Sequence, residues 1–241
     1  MKPNYGIDAP GVVRSFALIA AVCLIAAVVG HFFLIEKYPI IARSMQGSGT
    51  STGLWFLASA LVMVWGSKVG KFRLRDRLLN TISWRGDEEV LDVGCGRGLM
   101  MVGAARRLTT GRAFGIDLWH TEDQSGSSAE NARLNADLEG VADRVEIRDG
   151  DAMEIPFPSA FFDVVLSSFC IHNIYDQESR QKAIEEIARV LRPGGRLIII
   201  DIRHCREYAQ VLTECGLEEV KVGGPNFMFV IPTNWVTARK S

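Results

Sequence analysis

The strongest constraint on the fold is the stretch Val90–Gly98, which reads VLDVGCGRG. Apolar residues around one acid, followed by glycines at alternate positions, predict a buried strand that runs into a tight loop. The periodic segment that follows, 99–108, predicts a helix. Glycine is needed where a backbone turns sharply beneath a ligand, because glycine reaches positive φ angles and carries no Cβ. The acid, Asp92, precedes the glycines and can accept hydrogen bonds from a cationic amine or from loop amides.

The glycines of this loop follow a G-x-G-x-G spacing, whereas dinucleotide-binding loops use G-x-G-x-x-G. The difference argues against a pyrophosphate and for a ligand with an amino-acid end. The stretch Asp92–Gly98 resembles the first motif of the class I S-adenosylmethionine-dependent methyltransferases, in their small-molecule and lipid-acting, type 11-like branch. The resemblance continues through most of 85–201. It implies that the methionine end of S-adenosylmethionine is held by Asp92, Gly94, Cys95, Gly96 and Gly98.

Beyond residue 85, helix and strand patterns alternate, which predicts a parallel sheet with helices on both faces. Strands are predicted at 89–93, 112–116, 144–148, 162–167 and 195–201, and helices at 99–108, about 126–138, 178–191 and about 204–214. The tail from Leu217 to Lys240 reads as two strands joined across Gly223–Pro225. With the resemblance, these patterns indicate an α/β fold, a Rossmann-like, doubly wound, mostly parallel sheet of seven strands.

A second acid, Asp117, ends the second predicted strand. An acid at this place can accept two hydrogen bonds from the vicinal hydroxyls of a ribose. Leu118, the next residue, can pack on an adenine face. An acidic turn or helix cap would give the same local pattern, so the ribose assignment depends on the glycine loop before it.

Two further motifs follow at compatible spacings. Asp151 comes after the third predicted strand, where a carboxylate can accept from an exocyclic amine and the backbone N–H of Ala152 can donate to a ring nitrogen. The resemblance implies that this pair recognises adenine, although a surface turn would also place an acid there. Ser167 lies at the carboxyl end of the fourth strand, where ligands of open α/β sheets bind. By resemblance, Ser167 lines the methionine part of the cofactor.

The exit of the fourth strand, SSFCIHN, carries His172 and Asn173 as candidate catalytic residues. An imidazole with an ordinary pKa of about 6.5 can take a proton from an acceptor at neutral pH. A histidine that caps or bonds backbone at the strand end is the alternative interpretation. The exit also lacks the Asp/Asn-Pro-Pro-Tyr/Phe pattern of methyltransferases that act on nucleic-acid bases, which favours the small-molecule branch.

Residues Phe16–Ile35 form an apolar run of twenty positions in which His31 is the only strongly polar side chain. At about 1.5 Å per residue, a helix of this length spans the roughly 30 Å hydrocarbon core of a bilayer. Arg14 ahead of an N-terminal apolar run is also typical of secretory signals. The run is long for a signal, no clear small-x-small cleavage site follows, and a second apolar segment comes soon after. These features favour a retained membrane helix.

The second apolar segment, Gly53–Gly66, is shorter, and its length also fits a buried or interfacial helix. Extended at both ends, it can cross the bilayer with Trp55 and Trp65 near the two interfaces. The residues after it include Lys68, Lys71, Arg73, Arg75 and Arg77. Because cytoplasmic flanks are rich in Lys and Arg, a crossing hairpin predicts that the C-terminal domain lies in the cytoplasm. The basic cluster itself is typical of headgroup contact or of a solvated helix face.

The sequence therefore predicts a membrane anchor, 1–72, with transmembrane helices at about 13–35 and 52–69, and a catalytic domain, 73–241. The polar loop His120–Ser128 is interpreted as a lid over the cofactor or as a simple excursion. The formal net charge of −1 provides no basic field, so nucleic acid is not indicated as a partner. The five cysteines form no C-x-x-C pair and no Cys/His cluster, which indicates reduced thiols and no metal site.

These patterns favour a membrane-anchored methyltransferase that uses S-adenosylmethionine and acts on a small, lipophilic acceptor. Lipids, prenylated quinones and hydrophobic thiols or amines concentrate in a bilayer, where an anchor raises their local concentration at the site. One alternative is a non-catalytic, membrane-anchored scaffold or sensor that binds S-adenosylmethionine, because the base is not certain. The other is an NAD(P)-dependent oxidoreductase, which the glycine spacing and Asp151 disfavour.

Overall fold

The computed structural model describes residues 1–119, 128–227 and 232–241. The predicted loop His120–Ser128 therefore lies, up to residue 127, outside the described residues, as does the start of the helix expected at 126. The chain divides into two compact units. The larger one, the catalytic unit, is named for the predicted catalytic domain that it contains, and comprises Met1–Gly6 together with the described residues from Lys71 onward. The smaller one, the hairpin unit, comprises Ile7–Gly70.

In chain order the helices are α1 (Pro10–Val29), α2 (Pro39–Trp65), α3 (Lys71–Leu79), α4 (Leu99–Ala105), α5 (Ala129–Leu138), α6 (Gln177–Val190) and α7 (Cys205–Glu214). The strands are β1 (Glu89–Val93), β2 (Arg112–Asp117), β3 (Val145–Asp149), β4 (Phe162–Ser168), β5 (Leu191–Asp201), β6 (Leu217–Asn226) and β7 (Thr233–Lys240). Short π-helical turns follow α1 and α2, at Gly30–Leu34 and Gly66–Gly70, and 3₁₀ turns lie at Ala142–Arg144 and Ile171–Asn173.

The catalytic unit is built on one seven-stranded sheet in the order β3-β2-β1-β4-β5-β7-β6. Strands β1 to β5 pair in parallel, and β7 pairs antiparallel with both β5 and β6. The prediction of a Rossmann-like, mostly parallel α/β sheet is therefore confirmed. The central parallel strands are largely buried, as β1 illustrates with Val90, Leu91 and Val93 fully enclosed.

Local polar contacts explain where elements of this unit begin. Asp163, near the start of β4, accepts a hydrogen bond from the backbone N–H of Glu89 and forms an ion pair with Arg192. The carboxylate therefore orders the entry of two neighbouring strands. Asp176 caps α6 by accepting from the backbone N–H of Ser179 at 2.8 Å.

The sequence misplaced two strand boundaries. β5 begins at Leu191, not at 195, because Leu191 already pairs with Phe162 before a register shift in that ladder. The predicted turn at Gly223–Pro225 is wrong, because β6 runs through these residues to Asn226. β6 is an edge strand, where Pro225 is tolerated because its missing N–H can face the unpaired side of the strand. The pairing of β6 with β7 also shifts register between Gly223 and Asn226.

Helices α1 and α2 of the hairpin unit pack antiparallel through small residues. A Cβ added at Gly49 would lie 2.7 Å from the carbonyl oxygen of Cys23, and one at Gly53 would lie 3.2 Å from that of Ala20. α2 begins at Pro39, thirteen residues before the predicted start at 52. Residues 39–51, which lie between the two predicted membrane helices, are therefore helical. Within them, the hydroxyl of Ser48 donates to the carbonyl of Ser44.

Within the described ranges, the helical segments Pro10–Leu34 and Pro39–Leu79 are long and apolar enough to cross a membrane by length and composition. Core helices of soluble proteins and signal sequences also meet this criterion. Only some of the basic side chains after α2 are exposed. Lys71 and Arg75 are buried, and Lys71 donates to the carbonyl of Tyr5 while Arg75 pairs with Asp76. Headgroup contact is therefore excluded for these two side chains, whereas Lys68, Arg73 and Arg77 are exposed.

Candidate active site

The loop between β1 and α4 has the backbone that its glycines predicted. Gly94, Gly96 and Gly98 have φ angles of 71°, 50° and 80°, a region that side-chain-bearing residues avoid. A Cβ at Gly94 would overlap the side chain of Cys170, so this position also needs the space. The backbone N–H of Cys95 donates to the carbonyl of Ile116, which fixes the loop against the end of β2.

Asp92 is buried at the end of β1 with one oxygen satisfied and one not. Its Oδ2 accepts from the backbone N–H of Met101 at 2.8 Å, and its Oδ1 is enclosed with no partner among the described residues. Burial, reinforced by the charge of Asp117, raises the pKa of Asp92 to about 7. Such an oxygen is a site for a cation or a donor from a ligand, because an unpaired buried acceptor is costly.

Asp117 connects three parts of the site. Its carboxylate accepts from the backbone N–H groups of Gly96 at 2.8 Å and Trp119 at 2.7 Å. Its own carbonyl accepts from Gly150, which precedes Asp151. A carboxylate has about four lone-pair sites, so both oxygens keep capacity for a ligand. Leu118 follows with a side chain that is 50% exposed.

The remaining predicted cofactor residues lie at the same edge of the sheet. Asp151 follows β3 and accepts from the backbone N–H of Met153 at 2.8 Å. Ala152 is buried in the core cluster. Ser167 is also buried, and its hydroxyl donates to the carbonyl of Val93 at 2.8 Å, so its side chain joins β4 to β1. Cys95 is buried, which raises the pKa of its thiol well above its ordinary value and keeps it neutral.

The structure therefore brings the three predicted acids to the carboxyl ends of three neighbouring parallel strands. β1 pairs with β2, and β2 pairs with β3. Asp117 accepts hydrogen bonds from the glycine loop, through the Gly96 N–H, and from the turn that carries Asp151, through the Gly150 N–H. This is the edge at which open α/β sheets bind ligands.

His172 lies on the 3₁₀ turn Ile171–Asn173, directly after β4. Its backbone N–H donates to Oδ2 of Asp201 at 3.1 Å, and its Nδ1 lies 2.5 Å from Oδ1 of the same carboxylate. The imidazole thus lies within ion-pair distance of a buried acid, but the geometry at Nδ1 is not that of a hydrogen bond. The hydrogen bond at this strand end comes from the backbone N–H of His172. Asn173 is half-buried on the same turn.

Asp201 is the functional candidate that the sequence analysis missed. It ends β5, is completely buried, and accepts hydrogen bonds from the backbone N–H of Ile202 and from the hydroxyl of Tyr208. The available signal was its position, since it is an acid at the end of a buried strand like Asp92 and Asp117. Among the described residues, no three His, Cys, Asp or Glu side chains are grouped to hold a metal ion.

A second ion pair supports the turn that carries His172. Arg180, a buried residue of α6, pairs with Glu207 of α7 at 2.9 Å. The same guanidinium donates to the carbonyls of Ile174 and Tyr175. The backbone just after His172 is therefore held by two helices.

Comparison with known proteins shows what this arrangement resembles. Residues 91–199 match a family model described as a methyltransferase domain. This part of the chain is therefore similar to a methyltransferase domain. The matched region begins within β1 and ends near the end of β5, so it covers the glycine loop, the three acids and His172.

Curated relatives of this methyltransferase domain are of moderate identity. The 27-O-demethylrifamycin SV methyltransferase of Amycolatopsis mediterranei is 38% identical over 169 residues, which are 69% of this chain and 56% of that protein. A ubiquinone/menaquinone biosynthesis C-methyltransferase of Roseobacter denitrificans is 35% identical over 134 residues, 55% of this chain and 50% of that protein. The chain thus spans about half the length of these relatives.

Among solved structures, the cyclase SpnF aligns with a TM-score of 0.61 at 20% identity, over 72% of this chain and 83% of that one. At this identity the similarity establishes the fold of the methyltransferase domain and nothing about its chemistry.

Proposed function

We propose that the chain transfers a methyl group from S-adenosylmethionine to a small, lipophilic acceptor at a membrane surface. The convergence of Asp92, Asp117 and Asp151 around the glycine loop carries this proposal. The buried, unpartnered Oδ1 of Asp92 fits a ligand with a cationic amino-acid end. The methionine end is assigned to Asp92, Gly94, Cys95, Gly96, Gly98 and Ser167, the ribose to Asp117, and the adenine to Leu118, Asp151 and Ala152.

S-adenosylmethionine, when bound, supplies a methyl group that is already activated. The residues of the domain then have two tasks, which are to orient an acceptor in line with that methyl group and to exclude water. His172 can serve a third task when the acceptor carries a proton of high pKa. Asp201 faces Nδ1 of His172, which leaves Nε2 as the nitrogen that takes the proton. Asn173 is proposed to orient the acceptor from the same turn.

A base beside a buried carboxylate suits methyl transfer to an acceptor that must lose a proton, such as a hydroxyl or an activated ring carbon. The names of the two relatives, one a demethylrifamycin methyltransferase and the other a quinone-pathway C-methyltransferase, belong to this range of small organic acceptors. The proposed acceptor is therefore a lipophilic phenol, quinol or related hydroxyl compound. In the scaffold alternative, no acceptor binds beside His172 and no methyl group is transferred.

The packing of the hairpin unit supports a membrane anchor. Glycines at positions 49 and 53 allow close approach of α1 and α2, with Leu24 also in the contact, and many large apolar side chains point outward, including Leu18, Val22, Ile25, Leu54, Trp55 and Leu61. A soluble helical pair buries most of its large apolar side chains. Small residues at the contact and an apolar outer surface are typical of helices that pack in lipid, where the outer surface meets acyl chains.

The chain connection supports a double crossing. Met1–Gly6 and the chain from Lys71 onward belong to the catalytic unit, so residues 7–70 leave that unit and return to it. A segment connected in this way crosses a bilayer an even number of times. The exposed Lys68, Arg73 and Arg77 then favour a cytoplasmic catalytic unit.

Methyl transfer can be tested with the full chain reconstituted in lipid vesicles with labelled S-adenosylmethionine and a total membrane lipid extract. We expect label in an extract component whose mass increases by one methyl group. A chain that binds the label and transfers none to any extract component would support the scaffold alternative. A chain that binds NADH or NADPH in place of S-adenosylmethionine would support the oxidoreductase alternative.

A further inference from the structure

The first six residues precede the apolar helices, yet they lie on the methyltransferase domain. Asn135 of α5 forms a reciprocal pair with the backbone of Asn4: its Oδ1 accepts from the Asn4 N–H at 2.8 Å, and its Nδ2 donates to the Asn4 carbonyl at 3.1 Å. Asn135 is buried. Its side-chain amide therefore pairs with both the N–H and the C=O of one backbone residue, as a neighbouring strand would.

Two further contacts fix the segment Asn4–Gly6, which we call the N-terminal strap. The ring of Tyr5 is buried against Phe72 in an edge-on arrangement with centroids 5.5 Å apart. The ammonium group of Lys71, itself buried, donates to the carbonyl of Tyr5 at 2.7 Å and to that of Gly6 at 3.3 Å. Burial of a lysine costs free energy unless its donors are satisfied, so these carbonyls are part of what stabilises Lys71 in place.

The same Asn135 amide reaches the glycine loop. Its Nδ2 also donates to the carbonyl of Arg97 at 2.9 Å, and Arg97 donates from its guanidinium to the carbonyl of Asn4 at 3.1 Å. Arg97 lies between Gly96 and Gly98. One buried side chain thus joins the strap to the last turn of the loop assigned to the methionine end.

We propose that the N-terminal strap positions the Arg97–Gly98 turn for S-adenosylmethionine, which makes residues upstream of the apolar helices part of the frame of the cofactor site. The proposal rests on the proposed function of that loop. Its physical content is linkage: if the strap and the turn stabilise one another, release of the strap weakens cofactor binding, and cofactor binding holds the strap in place.

The experiment compares variants of the full chain in detergent micelles, titrated with S-adenosylmethionine by calorimetry. Asn135→Ala removes the bridge to Arg97 and is expected to weaken affinity about tenfold, the effect of losing one to two hydrogen bonds. Tyr5→Ala releases the strap and is expected to act in the same direction. The matched control is Asp137→Ala, which alters an exposed side chain of the same helix. Tyr5→Phe keeps the buried ring and is expected to restore affinity to within about twofold.

Hydrogen–deuterium exchange separates positioning from general destabilisation. In Asn135→Ala and Tyr5→Ala we expect faster exchange confined to 94–101 and 129–138, with β4 and β5 unchanged. Faster exchange across the whole sheet, or wild-type affinity in both variants, would contradict the proposal. A wild-type chain that binds no S-adenosylmethionine would contradict the proposed function, but the exchange pattern would still report whether the strap holds the turn.

Discussion

Nδ1 of His172 lies 2.5 Å from Oδ1 of Asp201, a carboxylate completely buried at the end of β5. β4 and β5 pair in parallel up to Ser168 and Ile200. His172, shortly after β4, and Asp201, the last residue of β5, therefore lie at neighbouring strand ends. The hydroxyl of Tyr208 approaches the other oxygen, Oδ2, at 3.2 Å. We propose that this carboxylate orients the imidazole, so that His172 can act as a general base.

Replacing Asp201 with asparagine tests this pairing. Asp201→Asn keeps the size of the side chain and removes its charge, so we expect kcat to fall by about 10²- to 10⁴-fold, the usual contribution of a general base. The KM for S-adenosylmethionine should change little, because Asp201 lies outside the residues assigned to the cofactor. Steady-state kinetics with the acceptor measure both. A fall in cofactor affinity with unchanged kcat would assign Asp201 to the cofactor site and not to the base.

Asp92 predicts a pH dependence of stability in the cofactor-free chain. Its pKa rises from 3.8 to about 7 on folding, so the folded state holds an extra proton between these values. The free energy of unfolding should therefore fall as pH rises from about 4 to about 7, by up to roughly 1.4 kcal/mol per pH unit, with the full penalty present above pH 7. Chemical unfolding of the wild type and of Asp92→Asn at pH 5 and 7.5 measures the difference. The variant should lose this part of the pH dependence; equal slopes in both proteins would show that Asp92 is not its source.

Cofactor binding should respond to pH in the opposite direction. A cationic ligand interacts best with an ionised carboxylate, so affinity for S-adenosylmethionine should rise as pH increases through about 7. Titrations between pH 6 and 8 measure this trend. An affinity that stays constant across that range, or that falls with pH, would remove Asp92 from contact with the cationic end.

Close packing of the hairpin unit can be tested at two glycines of α2. Gly49→Leu would place Cβ 2.7 Å from the carbonyl of Cys23, and overpacking of this kind costs about 1–3 kcal/mol. Gly47→Leu is the matched control, because a Cβ there has open space within 4 Å. Thermal unfolding in detergent should show a lower midpoint for Gly49→Leu alone. Equal midpoints would indicate that α1 and α2 do not pack at Gly49.

The sequence predicted those parts of the candidate site that lie in consecutive residues. The β1 strand, the acid within it and the glycine loop lie within ten positions, and the φ angles of the loop follow directly from glycine. Asp117 was predicted because it ends a recognisable strand, and Asp151 because it closely follows one. Strand order and the register of β5 could not be read in this way, because they depend on which buried faces meet.

Two contacts could not be predicted from the sequence, because they too depend on tertiary packing. His172 and Asp201 are 29 positions apart and come together only through the pairing of β4 with β5. Asn4 and Asn135 are 131 positions apart, and no local pattern marks a polar N-terminal residue as the partner of a buried amide. Likewise, Lys71 and Arg75 read as basic residues near a membrane, whereas tertiary packing buries both.

Whether this sheet edge holds the cofactor can be measured by equilibrium titration of S-adenosylmethionine onto the full chain and its Asp117→Ala variant. We expect one binding site per wild-type chain and an affinity roughly 10- to 100-fold weaker in Asp117→Ala, since hydrogen bonds to a charged group contribute about 1.5–3 kcal/mol each. Asp143→Ala, at an acid that is 75% exposed, should bind as the wild type does. Wild-type affinity in Asp117→Ala, or no binding to the wild-type chain, would contradict the assignment of this sheet edge to the cofactor.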